Sequence, residues 1–170
     1  MSNLIYLAKP MDVGSKGALK GKPKIFVADA AIRNAVLMID DVLSDERELG
    51  VMVETTVYRH MVTFCQGSPV QLGYFRKARD NQKEVDVVAE LPHRKILCEV
   101  KYRNHSHIAA TDAIVELCRD EKAKVTDAFL ITKRLDDFGI TRHETAVPIL
   151  RVPAIVFLYM LGREKSSILI

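Results

Sequence analysis

Apolar and charged residues alternate most clearly over residues 84–103, EVDVVAELPHRKILCEVKYR, in two period-two runs around a turn that contains Pro92. That pattern predicts a β-hairpin. Upstream, NLIYLAKP has the pattern of a short strand, and KIFVAD at 24–29 that of a strand feeding a helix with Asp29 as its N-cap. Ile32, Ala35, Val36 and Ile39 then fall at helical spacing, which predicts a buried stripe. The polar stretch DDVLSDERELG, ending at Gly50, has the composition of a connector. A second helix follows in VMVETTVYRHMVTFC, closed by the turn QGSP. Three strands are expected in QLGYFRKA, KEVDVVAEL and RKILCEVKYR, then a helix in TDAIVELCRDEKAK with Ile114, Leu117 and Cys118 facing inward. A strand in DAFLITK precedes AVPILRVPAIVFLYMLG, which combines a strand with a short apolar helix. The order helix, three strands, helix, strand predicts an α/β arrangement with a mixed sheet. No internal repeat or low-complexity segment interrupts it.

Composition changes this picture little. At 170 residues, with 48% hydrophobic and 28% charged positions, the chain suits one soluble globular domain. Residues 1–23 form an N-terminal strand and a basic Gly/Lys loop, and residues 24–170 the α/β domain. A net charge of +3 is too small to imply nucleic-acid binding by itself. The three cysteines, Cys65, Cys98 and Cys118, have no CxxC spacing, which argues against a disulfide framework or zinc knuckle. VPAIVFLYML at 152–161 is too short to span a bilayer, so a cytoplasmic protein without membrane contact is expected. The Gly/Lys loop fails as a phosphate-binding P-loop, because Lys16 stands five residues before Gly21 and Pro23 follows Lys22. A solvated loop is the plainer reading of Lys16, Lys20, Lys22 and Lys24. Contact with backbone phosphates is the alternative, with Lys20 and Lys22 the candidates.

The hairpin carries charge where a sheet usually buries something. Alternation puts Ile96, Cys98, Val100 and Tyr102 on one face of the second strand and Leu97, Glu99, Lys101 and Arg103 on the other. On the first strand Asp86 shares a face with Glu84 and Val88. Pairing around LPHR brings Asp86 close to Glu99, where two carboxylates repel unless a cation lies between them. Hard oxygen ligands favour magnesium or manganese in that role. Glu54 adds a third carboxylate. It lies on the helical stripe of Val57, Tyr58, Met61 and Cys65, and burying it there calls for a partner or a metal.

A helix Glu, a strand Asp and an ExK on the next strand resemble the PD-(D/E)xK nuclease superfamily. The flanks GKPKIFVADAAIRNAVL, GYFRKARDNQKEVDVVAEL, ILCEVKYR and VPAIVFLYMLG look like the nuclease-like C-terminal domain of archaeal and bacterial AAA+ ATPases of unknown function. The resemblance runs from about residue 20 to 162. It implies a restriction-endonuclease-like core, a mixed central sheet flanked by helices, and divalent-metal-dependent handling of DNA. Asp86 and Glu99 would ligate Mg2+ or Mn2+ with help from the Val100 carbonyl. Lys101 would orient or help deprotonate the attacking water, and Glu54 would hold a metal-bound water or a second ion. Tyr74, Arg76, Lys77 and Arg79 would hold the backbone of the scissile strand.

The chain departs from the pattern in places. No Gln-x-x-x-Tyr signature follows ExK, Asp29 is followed by Ala-Ala where the ATPase family usually has Thr-Gly, and no Walker motif is present. The resemblance therefore implies a C-terminal fragment or a stand-alone homologue of a AAA+ ATPase, partnered by DNA and by that motor. The competing expectation is a catalytically idle module that holds a protein or nucleic acid for the motor. His105 and His107 lack a third ligand and read as loop residues, and His60 reads as a packing histidine. The C-terminal apolar run reads first as core and second as a docking surface for a motor or a homodimer partner.

Overall fold

The structure is a computed structural model that describes residues 4–13, 22–77 and 83–168, with the side chains of the last helix described as far as Arg163. Among the described residues, the strands β1 (Ile5–Pro10), β2 (Lys24–Val27), β3 (Gln71–Arg76), β4 (Glu84–Glu90), β5 (Lys95–Lys101), β6 (Val125–Thr132), β7 (Gly139–Ile140) and β8 (Ile149–Pro153) form one sheet. Their spatial order is β2-β1-β3-β4-β5-β6-β8-β7. The pairs β1–β3, β5–β6 and β6–β8 are parallel and the others antiparallel, so the sheet is mixed, as expected. β1 lies within this same sheet. The expected hairpin is β4–β5, with Leu91 donating to the Arg94 carbonyl across the turn.

Helices cover both faces. On one side, α2 (Glu46–Cys65) and α4 (Ala154–Ile168) bury Val57, Tyr58, Met61 and Phe157 with Phe26, Val87 and Cys98. The stripe read for α2 is the buried one, and Phe26 stacks on Tyr58 at 4.3 Å between ring centroids. On the other side, α3 (Ala113–Arg119) packs Ile114, Leu117 and Cys118 against Val85, Val88, Leu97 and Leu130. α3 is shorter than the pattern predicts. A 3-10 turn at Glu121–Ala123 follows it, and Lys124 in the left-handed region redirects the chain into β6.

Two expectations near the N-terminus fail. The stripe assigned to α1 (Ala30–Val36) does not face the core: Ile32 is 44% and Val36 73% exposed, and Asn34 is the buried residue. The helix has only seven residues, and the chain turns through Leu37 and left-handed Met38, so no continuous stripe reaches the sheet. The polar connector is also half helical. Asp45 accepts from the Arg47 and Glu48 amides, which starts α2 at Glu46. No helix among the described residues is long and apolar enough to cross a membrane.

Candidate metal centre

The feature that shapes the site is an irregularity in β4. Gly73 pairs with Val88 and Phe75 with Val85, so Tyr74 alone stands opposite both Asp86 and Val87. This is a β-bulge, which changes the face that a side chain addresses. As a result Asp86 does not share a face with Val88. Val85 and Val88 both enter the α3-side core, Val87 enters the α2-side core, and the Asp86 carboxylate turns toward Lys24 and the α2 side. The β4–β5 pairing runs to Val87↔Cys98, and beyond it Asp86 Oδ2 accepts the Val100 amide at 2.8 Å. A side-chain acceptor thus takes over from the strand ladder.

Three carboxylates converge there. Glu54 from α2 and Glu84 and Asp86 from β4 each offer an oxygen within 4.8 Å of the others. Lys24, the first residue of β2, reaches into the group. Its Nζ lies 2.8 Å from Glu54 and 3.6 Å from Asp86 and is ion-paired with Glu84. Arg76 closes the cluster, with Nε and Nη2 both 2.5 Å from Glu84 Oε2. The Tyr74 ring lies 5.3 Å below the Lys24 ammonium, a favourable seat for a cation.

Glu99 and Lys101 form a second group. Alternation from Leu97 and Cys98 puts them on the α3 face, where Lys101 Nζ lies 2.5 Å from Glu99 Oε1. Glu99 is buried, and its Oε2 has no hydrogen-bond partner among the described residues. Asp86 links the two groups: it acts electrostatically on Glu54 and Lys24 on one side and on Glu99 and Lys101 on the other.

Burial and mutual repulsion disfavour the charged carboxylates. Burial first and the Asp86 charge second push Glu54 up to about 7, although Lys24 opposes them. Burial and Asp86 likewise push Glu99 up to about 8 against the pull of Lys101. Burial raises Asp86 too, with Lys24 and the Val100 amide pulling it back. Burial works against the Lys24 and Lys101 ammoniums, but the surrounding carboxylates outweigh it and raise both.

The sequence-derived candidates therefore divide. Glu54 and Asp86 meet, Glu99 and Lys101 pair on the opposite, α3 face, and Val100 meets Asp86 through its amide. Tyr74 is 1% exposed and its hydroxyl donates to the Lys22 carbonyl, so it forms the floor of the cluster and not a surface contact. Lys77 binds Glu116 of α3 at 3.2 Å, Arg76 serves Glu84, and Lys22 is exposed. Arg79 and Lys20 lie outside the described residues. Two members were missed. Glu84 was on the page as a same-face neighbour of Asp86, two residues away, whereas Lys24 gave no signal beyond a charge at the head of an apolar strand.

A family model described as a domain of unknown function, DUF4143, matches residues 49–152, more than half of the chain. The chain belongs to the DUF4143 family. No curated protein matches it. The DUF4143 segment carries all three clustered carboxylates together with Glu99 and Lys101, while Lys24 reaches the site from outside it.

Proposed function

We propose that this DUF4143 protein is a PD-(D/E)xK-type, divalent-metal-dependent enzyme that hydrolyses phosphodiesters in DNA, working with a AAA+ ATPase as the resemblance implies. The observation that carries the reading is the convergence of Glu54, Glu84 and Asp86 next to the Glu99–Lys101 pair, on an α/β scaffold with a mixed sheet. Carboxylate oxygens are the donors that Mg2+ or Mn2+ prefers, and partial burial gives a bound cation little competition from water. Glu54, Glu84 and Asp86 would hold the ion. A metal bound there supplies hydroxide near neutral pH and offsets the charge that develops on the phosphate. Lys101, ion-paired with Glu99, would set its ammonium against the same developing charge.

The Lys24 ammonium inside the carboxylate group supports a second reading, in which the cluster is an ion-pair network of an idle interaction module. Manganese titration followed by cleavage of labelled single-stranded, duplex and four-way-junction DNA separates the two. The enzyme reading expects metal binding and metal-dependent cutting, both lost in Asp86→Asn, with cutting alone lost in Lys101→Ala. Absence of metal binding would sink it, and binding without cutting by any preparation would leave the module reading.

A further inference from the structure

A cavity of about 790 Å3 lies away from the carboxylate cluster, where the segments after β5 and β6 meet β7 and β8. Its position follows from strand register. Glu99 pairs with Leu130, and Leu130 pairs with Arg151, so the three lie in one row across β5, β6 and β8. Leu130 and Arg151 line the cavity, which therefore opens on the same sheet face as Glu99, two strands away, about 10 Å at ordinary strand spacing. The carboxyl ends of parallel strands are where α/β sheets ordinarily take their ligands.

Its lining sets Arg134, Arg142 and Arg151 against Asp136 and Asp137, and the cations lead. Arg142 is exposed and has no ion pair among the described residues, and Arg134 pairs with the exposed Asp136, a weak pair that a phosphate can replace. Arg151 spends its Nη2 on Asp137 and Ser106, yet its Nε has no partner among the described residues. The Thr141 hydroxyl is likewise buried and unpaired. Buried polar groups ordinarily have a partner, so both are groups that an anion entering the cavity can use. The volume falls within the range of about 300–1,000 Å3 usual for ligand sites. His105 and His107 also line the cavity, and their flat rings are surfaces on which bases stack.

We propose that this cavity binds phosphate groups of a nucleic-acid strand that runs on from Glu99 and Lys101, with Arg134, Arg142 and Arg151 on its backbone. The proposal rests on the nuclease reading for the identity of the strand, while the shared chemistry, phosphate, would also fit a free nucleotide. The test is fluorescence anisotropy with short labelled single-stranded and duplex DNA in EDTA, from about 50 to about 200 mM salt. A parallel arm titrates AMP and inorganic phosphate. The double variant Arg134→Ala/Arg142→Ala removes two exposed side chains, so the fold is expected to survive, which circular dichroism checks. A loss of about tenfold or more in affinity, with the salt slope reduced by about 2, supports the proposal. Strand binding indifferent to the double variant, or no strand binding, overturns the proposal even if cleavage is found. Loss of AMP binding alone would assign the cavity to a free nucleotide and overturn the strand. Inert cleavage assays beside variant-sensitive strand binding would instead count against the nuclease reading.

Discussion

Glu54 and Glu99 are buried carboxylates whose surroundings oppose their charged form, and that makes them measurable. Each has an ordinary value of 4.5 and is pushed up in the folded protein, to about 7 and about 8. Between those limits the folded chain binds more protons than the unfolded one, so stability is greatest in mild acid and falls as pH rises from about 4.5 to about 8. The melting temperature of the metal-free protein should therefore be higher near pH 5 than near pH 8.5, with Glu54→Gln and Glu99→Gln each flattening the slope. Manganese should reverse the trend, because it competes with the protons on the same oxygens and binds more tightly as they leave. A metal-free melting temperature that rises across the window would contradict the burial of these carboxylates. At this scale the sequence was readable where a residue broke a pattern: Glu54 on an apolar stripe, Asp86 and Glu99 in an alternating hairpin. Glu84 and Lys24 broke none. Glu84 looked like an ordinary exposed-face charge of a strand, and the position of Lys24 depends on β1–β2 folding back beside β3, which no local pattern encodes.

The bulge in β4 does what alternation alone could not announce. Pairing Tyr74 with two residues turns Asp86 toward the α2 side, whereas strict alternation puts it with Val88 on the other face. Next to the bulge, Gly73 lets β1 approach. A Cβ there would collide with the Lys9 carbonyl and the Met11 side chain, the first of which is backbone and cannot move aside alone. Gly73→Ala should destabilise the fold by about 1–3 kcal/mol in urea unfolding, the usual range for overpacking. It should also shift Lys24, because β1 carries β2. α1 provides the opposite case. Helical spacing was present, but only a long helix can lay a stripe along a sheet, and α1 ends after seven residues. Ile32→Ser and Val36→Ser, at exposed positions, should change stability by no more than about 0.5 kcal/mol, whereas a larger loss would mean that the stripe is covered after all. α2, the β4–β5 hairpin and α3 were legible because each buries one face along most of its length.

For the molecule as a whole, the question is why a family segment that carries every carboxylate of the cluster receives a cation from outside itself. Residues 49–152 contribute Glu54, Glu84 and Asp86, and the N-terminal ribbon contributes Lys24. Three carboxylates at this range repel one another, and the ribbon's ammonium offsets that repulsion in the protein without metal. A bound divalent cation would do the same work with more charge and would have to compete with Lys24. Lys24→Met keeps much of the side chain's length and its packing on Phe26 and Tyr74 but removes the charge. Two consequences follow if the cluster is a metal centre. The metal-free variant should melt at a lower temperature than the wild type at pH 8, and its stabilisation by Mn2+ should be larger, since no internal ammonium contests the oxygens. Calorimetric titration should show tighter manganese binding for the same reason. An ion-pair network without a metal role gives the first result and not the second: the variant melts lower, and manganese does not restore it. The two melting curves thus decide whether the ribbon's lysine is the resident cation of the cluster or the one a metal displaces.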